Sequence, residues 1–143
     1  MTEIEKAWLA GFIDGEGSIG VYRRKSKHGR GGHDYGVRLL AVNTNSEVMD
    51  YIKTLTGCGC SWVSKKGFKA NWKPCHRWQA YGENARDVVC QILPYLKVKR
   101  AIASLVLTMP VVSKSGRSPR EIAAQETAFA TAKAMNRRGR QGA

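Results

Sequence analysis

Apolar positions along this chain repeat with two spacings, one of three to four residues and one of about two, and the first predicts helices, the second strands. From about Glu3 to Asp14, Leu9, Phe12 and Ile13 form the apolar face of a helix, and Thr2-Glu3-Ile4-Glu5 reads as the capping box that starts it. Ser18 to about Lys27 alternates loosely as a strand and gives way to a basic, glycine-rich tip ending near His33. A second strand from about Tyr35 to Val42 completes a hairpin with a long positive loop. Thr44-Asn45-Ser46-Glu47 is a second capping box. Val48, Met49, Ile52 and Leu55 supply the apolar face of the helix it opens, and Gly57 ends that helix. A third strand is predicted from about Cys60 to Lys65 and a turn at Lys66-Gly67. A fourth strand runs from Lys69 or Trp72 to Tyr81, with Pro74 confining its first part to an edge or a bulge. Helices follow at about Asn84–Leu93 and Val98–Thr108. After a polar linker, Ser113 to Arg117, the box Ser118-Pro119-Arg120-Glu121 opens a last helix reaching about Asn136. The basic tail after it reads as frayed.

The order α-β-β-α-β-β-α-α plus a final helix predicts an α+β fold with one four-stranded antiparallel sheet and packed helices. Residues 1–112 form the core, 113–136 a linker and helix of the same domain, and 137–143 a basic tail. At 143 residues the chain is long enough for a single domain with a real core. Lysine and arginine number 24 against 11 acids, a net charge of +13, so the partner indicated is a polyanion, nucleic acid first. A membrane surface fits less well, because the cations are spread over loops and strands and not along one amphipathic helix. No apolar run has transmembrane length and no signal peptide opens the chain, which points to a soluble intracellular protein whose compartment stays open. Four cysteines fit a reducing compartment. Cys58, Cys60, Cys75 and His76 lack standard zinc spacing and read as small buried or strand residues.

The most informative stretch is Trp8-Leu9-Ala10-Gly11-Phe12-Ile13-Asp14-Gly15-Glu16-Gly17-Ser18. Ala7, Gly11 and Gly15 stand four apart, on one stripe that lets another backbone come close. Asp14 and Glu16 sit where the helix ends. Two carboxylates at the mouth of a tight helix pair suit a hard divalent cation, whereas an ordinary amphipathic helix would carry them as solvated acids. Leu9 to Gly17 resembles the LAGLIDADG motif of homing endonucleases position by position, with conservative changes. Pro94-Tyr95-Leu96, followed by Lys99-Arg100, is similar to a further family segment, so the likeness reaches from Trp8 to about Val106.

The resemblance implies the family's saddle-shaped sheet lying in the DNA major groove. It also implies a homodimer, since one motif per chain pairs across Ala7, Gly11 and Gly15. The implied activity is Mg²⁺-dependent hydrolysis of both strands of a long, nearly palindromic site with 3′ overhangs, Mn²⁺ substituting. Glu16 takes the place of the usual metal-ligating acid, Asp in many members, and Asp14 either joins it or braces the helix end. Lys99 matches the basic residue near the scissile phosphate, with Lys97 a nearby competitor. Thr44 and Asn45 occupy the region of a polar, solvent-organising residue, although capping explains both.

Strand alternation assigns base contacts without fixing the parity. The candidates are Tyr22 and Arg24 on the first strand, Tyr35 or Arg38 on the second, and Arg77 with Gln79 on the fourth. Arginine reads guanine and glutamine adenine, while the neighbouring tryptophans go to the core. Lys27, Lys66 and Lys69 sit at hairpin tips and suit phosphates. Two other functions fit the same fold and charge: an RNA-binding maturase acting on a host intron, and a DNA-binding protein that no longer cuts.

Overall fold

The computed structural model describes residues 1–27, 32–64, 71–110 and 117–138. Helix α1 spans Glu3–Glu16 and starts at the capping box expected there: the Thr2 hydroxyl accepts the Glu5 N–H and the Glu5 carboxylate accepts the Thr2 N–H. It runs two residues past Asp14, so Glu16 is its last residue. Strand β1 (Gly17–Lys25) follows without a loop. Gly17 makes that junction possible, because a Cβ there would lie 2.7 Å from the Leu40 carbonyl oxygen and 2.9 Å from Ile13 Cα.

The remaining elements are β2 (His33–Asn43), α2 (Ser46–Thr56), β3 (Cys60–Ser64), β4 (Cys75–Tyr81), α3 (Gly82–Ile92), a single 3₁₀ turn at Leu93–Tyr95, α4 (Arg100–Thr108) and α5 (Pro119–Arg138). The strands form one antiparallel sheet in the order β1-β2-β4-β3. This is the predicted α+β architecture with the predicted element order. No helix among the described residues is long and apolar enough to cross a membrane.

Several boundaries differ for local reasons. Helix α2 is capped by Asn45, not Thr44: the Asn45 side chain accepts the Glu47 N–H at 2.9 Å, and the Asn43 side chain accepts the Asn45 N–H. The turn is therefore built from two asparagines, one residue later than the threonine box requires. Strand β4 begins at Cys75, directly after Pro74, which has no N–H to give a ladder. Helix α4 begins at Arg100, with Lys99 as its N-cap, and not at Val98. The box before α5 is present as predicted, with Ser118 and Glu121 exchanging hydrogen bonds.

Register sorts the side chains. Val21 faces Val37, Ala41 faces Trp78, and Leu39 faces Ala80. With Ile19 these residues make one face of the sheet, all buried beneath the helices. The core also takes Leu9 and Ile13 from α1, Met49 and Ile52 from α2, and Val88, Val89 and Ile92 from α3. Trp78 is fully buried, and its indole N–H donates to the Cys58 carbonyl at 3.0 Å, which satisfies its polar atom. Helix α5 packs along β1 and α4 through buried Ala128 and Ala132, and the Asn136 amide donates to the Ile19 carbonyl on the outer edge of β1. That helix therefore covers a strand edge that would otherwise be open to pairing.

Candidate active site

The small-residue stripe of α1 faces outward. Ala7, Gly11 and Gly15 are exposed, and a Cβ built on either glycine meets nothing within 4 Å. Large apolar side chains flank it: Ile4 is 83% exposed, and Trp8 stacks on Phe12 and meets the exposed Tyr51 of α2 edge-on at 5.0 Å. A helix whose exposed side carries glycine, alanine, isoleucine and tryptophan is shaped for close contact and not for water. The apolar face assigned from sequence divides here: Leu9 and Ile13 are buried, and Phe12 is half-buried.

The two acids of the motif have different surroundings. Asp14 turns back onto its own chain. One carboxylate oxygen accepts the N–H groups of Lys97 (2.7 Å) and Val98 (3.2 Å), and the other accepts that of Lys99 (2.9 Å). Burial pushes its carboxyl up, but the three backbone donors and the Lys99 ammonium outweigh burial and hold it below the usual aspartate value. It acts on the entry to α4 as a capping residue supplied from a distant helix. Glu16 is exposed and makes no hydrogen bond or ion pair among the described residues. Lys99 is half-buried, and its ammonium donates to the Asp14 carbonyl at 2.5 Å. The end of α1 and the start of α4 are thus tied by four hydrogen bonds, which bring Glu16 and Lys99 to one locality. Lys97 is exposed beside it.

Thr44 is exposed in the β2–α2 turn, and the Asn45 side chain is engaged in capping α2. Among the described residues, no three His, Cys, Asp or Glu side chains converge to hold a metal ion. Cys58, Cys60, Cys75 and Cys90 are all free thiols.

The pairing of β4 with β2 fixes the parity that sequence alone left open. Arg77 pairs with Val42, Gln79 with Leu40 and Tyr81 with Arg38, while Tyr22 pairs with Gly36 and Arg24 with Asp34. Tyr22, Arg24, Arg38, Arg77 and Gln79 therefore share the face opposite the helices, with Trp78 and Trp62 on opposite faces. Arg24 and Arg38 are exposed, Tyr22 and Arg77 half-buried, and Gln79 nearly covered. Tyr35 is a correction. It faces the helices and is buried, and its hydroxyl donates to Glu126 of α5. Tyr35 and Arg38 stand three apart on one strand, so only one of them can join the open face. Lys27 is exposed just past β1, whereas Lys66 and Lys69 lie outside the described residues.

Three neighbours on this face were not singled out from sequence. Trp62 of β3 is 42% exposed and lies opposite Arg77. Asp34 holds Arg24 at 3.7 Å and Arg117 at 3.3 Å, and Arg117 in turn donates to Gln125. Cross-strand pairing places Trp62 and Asp34, and the ion pair with Asp34 places Arg117, and no single segment contains either signal. Tyr22 lies across Gly36, against Tyr81, with the Arg24 guanidinium 5.9 Å from its ring. The open face is therefore an ordered array of cations, aromatics and an amide, with one carboxylate, Asp34, holding two of the arginines.

A family model described as LAGLIDADG endonuclease matches residues 9–101. No curated protein sequence gives a significant match. Among solved structures, the chain is similar to the homing endonuclease I-CvuI in complex with the I-CreI target, at 26% identity and a TM-score of 0.64, over 75% of this chain and 66% of that one. It is similar in fold to the meganuclease I-SmaMI bound to uncleaveable DNA, at 17% identity and a TM-score of 0.68, covering 87% of this chain and 43% of the other. It also shares the fold of the archaeal intron-encoded homing endonuclease I-Vdi141I complexed with DNA, at 18% identity and a TM-score of 0.58, over 73% of this chain and 65% of that one. The chain thus spans no more than about two-thirds of these relatives' length. With well over half its residues inside the match and its helices and sheet in the matching arrangement, this chain belongs to the LAGLIDADG endonuclease family.

Proposed function

We propose that the chain is a site-specific double-strand DNA endonuclease that works as a homodimer with a divalent metal. One observation carries the reading: the exposed stripe of Ala7, Gly11 and Gly15 leads to Glu16, a carboxylate unpaired among the described residues, beside the tethered Lys99. Packing two such stripes together brings two Glu16 side chains to one centre.

The donor chemistry fits a hard cation only in that assembly. A single chain offers one uncommitted carboxylate, since Asp14 is engaged by three N–H groups. A second Glu16, waters and DNA phosphate oxygens would complete an all-oxygen set, which suits Mg²⁺ and also Mn²⁺. When bound, such an ion polarises the phosphodiester, activates water and stabilises the leaving oxygen. The Lys99 ammonium, held by the Asp14 carbonyl, would neutralise charge developing on the phosphate. Asp14 is the positioning residue for Lys99, and its geometry favours that role over metal ligation. Asn45 is engaged in capping α2, so any part it has in ordering solvent is secondary, whereas Thr44, exposed in the β2–α2 turn and not a cap, is the one of the two placed to order solvent.

Recognition falls to the open sheet face. Arg77 and Arg38 suit guanine edges, Gln79 suits adenine, and Lys27 suits phosphates. A two-fold dimer reads two half-sites, so the target is a long pseudo-palindrome. Selection from a randomised duplex pool tests this. Enriched sequences that form an inverted repeat, bound by two chains, support the reading. Preference for structured intron RNA over any duplex would favour a maturase instead.

A further inference from the structure

Helix α5 lies outside the matched segment, yet it borders the candidate site. Between its C-terminal half, the outer edge of β1 and the start of α4 runs a groove of about 940 Å³. Arg23, Arg38, Lys99, Lys133 and Arg137 line it, with Asn136 at the β1 edge; among the described residues no carboxylate lines the groove itself, and the one acid on its flank is Glu126 of α5, beside Arg23 and Lys133 and engaged by the Tyr35 hydroxyl. None of the five cations forms an ion pair among the described residues.

Several features hold this charge in place. Phe129, Lys133 and Arg137 stand four apart on one stripe of α5. The Arg23 guanidinium lies 4.7 Å from the centre of the Phe129 ring and the Lys133 ammonium 5.9 Å from it, so the ring supports two cations at once. The Asn136 amide donates to the Ile19 carbonyl and pins this end of the helix to the strand. Folding thus gathers like charges, which repel, around an open groove, and a polyanion laid in it removes the cost. The groove is continuous with the open sheet face through Arg38 and with the candidate cleavage centre through Lys99.

We propose that this groove takes the sugar–phosphate backbone of duplex DNA, with Lys133 and Arg137 of α5 binding phosphates and extending the footprint beyond the sheet. The inference rests on the DNA-endonuclease reading above. Both side chains meet phosphates only, so they add affinity and salt dependence without sequence preference.

The test compares wild type with Lys133→Ala/Arg137→Ala on a random-sequence duplex over a salt series. Both side chains are exposed and alanine favours helix, so the fold should hold, and a thermal melt verifies it. Lys53→Ala/Arg120→Ala removes equal charge from exposed positions that do not line the groove. The proposal expects the log–log salt slope to flatten by roughly 0.9 for each phosphate that is no longer neutralised. Affinity should fall on every sequence alike, and the Lys53/Arg120 variant should keep a slope nearer wild type. A wild-type slope in the Lys133/Arg137 variant, or equal flattening in both variants, overturns the groove assignment while leaving the nuclease reading intact. A larger loss on structured RNA than on duplex DNA also overturns it. Wild-type protein that binds no duplex at all overturns the nuclease reading itself, and this inference with it.

Discussion

Replacing Asp14 by asparagine should loosen the start of α4 and displace Lys99 without disturbing the core. The carboxylate accepts three backbone N–H groups, two on one oxygen and one on the other. Asparagine keeps one acceptor oxygen and puts an amide donor where the second stood. If its oxygen keeps Lys97 and Val98, its NH₂ confronts the Lys99 N–H. The loss is one charge-assisted hydrogen bond and the capping charge at a helix start. In this partly solvated site it should amount to about 1.5 kcal/mol, the lower end for hydrogen bonds to charged groups. For a chain of this size the melting temperature should fall by about 5 °C. The pH dependence carries a sign. The folded Asp14 carboxyl titrates below the usual aspartate value of about 3.9, so its stabilisation is complete above that value and is lost as pH falls through the lower folded one. Thermal melts should therefore show wild type and Asp14→Asn well separated near neutrality and converging in acid below about pH 4. Equal melting temperatures at neutral pH, or a gap that persists undiminished in acid, would refute the bracing role.

Gly11→Leu should abolish dimerisation while each chain still folds, because its Cβ points into open space in the single chain; a monodisperse, fully active dimer by sedimentation would contradict the interface. Gly36→Ala places a Cβ 2.5 Å from the Tyr22 ring, which must move off the strand. The sequence selected from a randomised duplex pool should change at the bases nearest Tyr22, and an unchanged selection would remove Tyr22 from recognition. Trp78→Ala should cost about 3–5 kcal/mol in chemical denaturation, as expected for a large buried aromatic, and a loss below about 1 kcal/mol would contradict its place in the core.

Much of this fold is legible from short segments. The boxes at Thr2 and Ser118, the glycine after α2 and the alternation of β1 and β2 are local signals, and each formed where its residues place it. What was not legible depends on partners far along the chain. The face of Arg77 and Gln79 is set by pairing with β2, some forty residues earlier. Tyr35 faces inward with Val37, Leu39 and Ala41 by strand alternation, and α5, which arrives last, covers it with Glu126 and Phe129. The entry to α4 is braced by Asp14, more than eighty residues away, which accepts the N–H groups of Val98 and Lys99. The motif identified the two acids and the resemblance gave Glu16 the ligand's place with Asp14 as a brace; what only the folded chain shows is that Asp14 braces the N–H groups of residues 97–99 and, with them, Lys99.

Cleavage by Glu16→Gln beside wild type most directly tests the central claim. Both proteins would be incubated with a duplex selected for wild-type binding, in Mg²⁺, in Mn²⁺ and with chelator, and binding would be measured in parallel. We expect wild type to make one discrete double-strand cut that chelation stops, and Glu16→Gln to bind equally well without cutting. Cutting by Glu16→Gln at the wild-type rate would remove Glu16 from the chemistry. Tight binding by wild type with no cut in either metal would show a DNA-binding protein and not a nuclease.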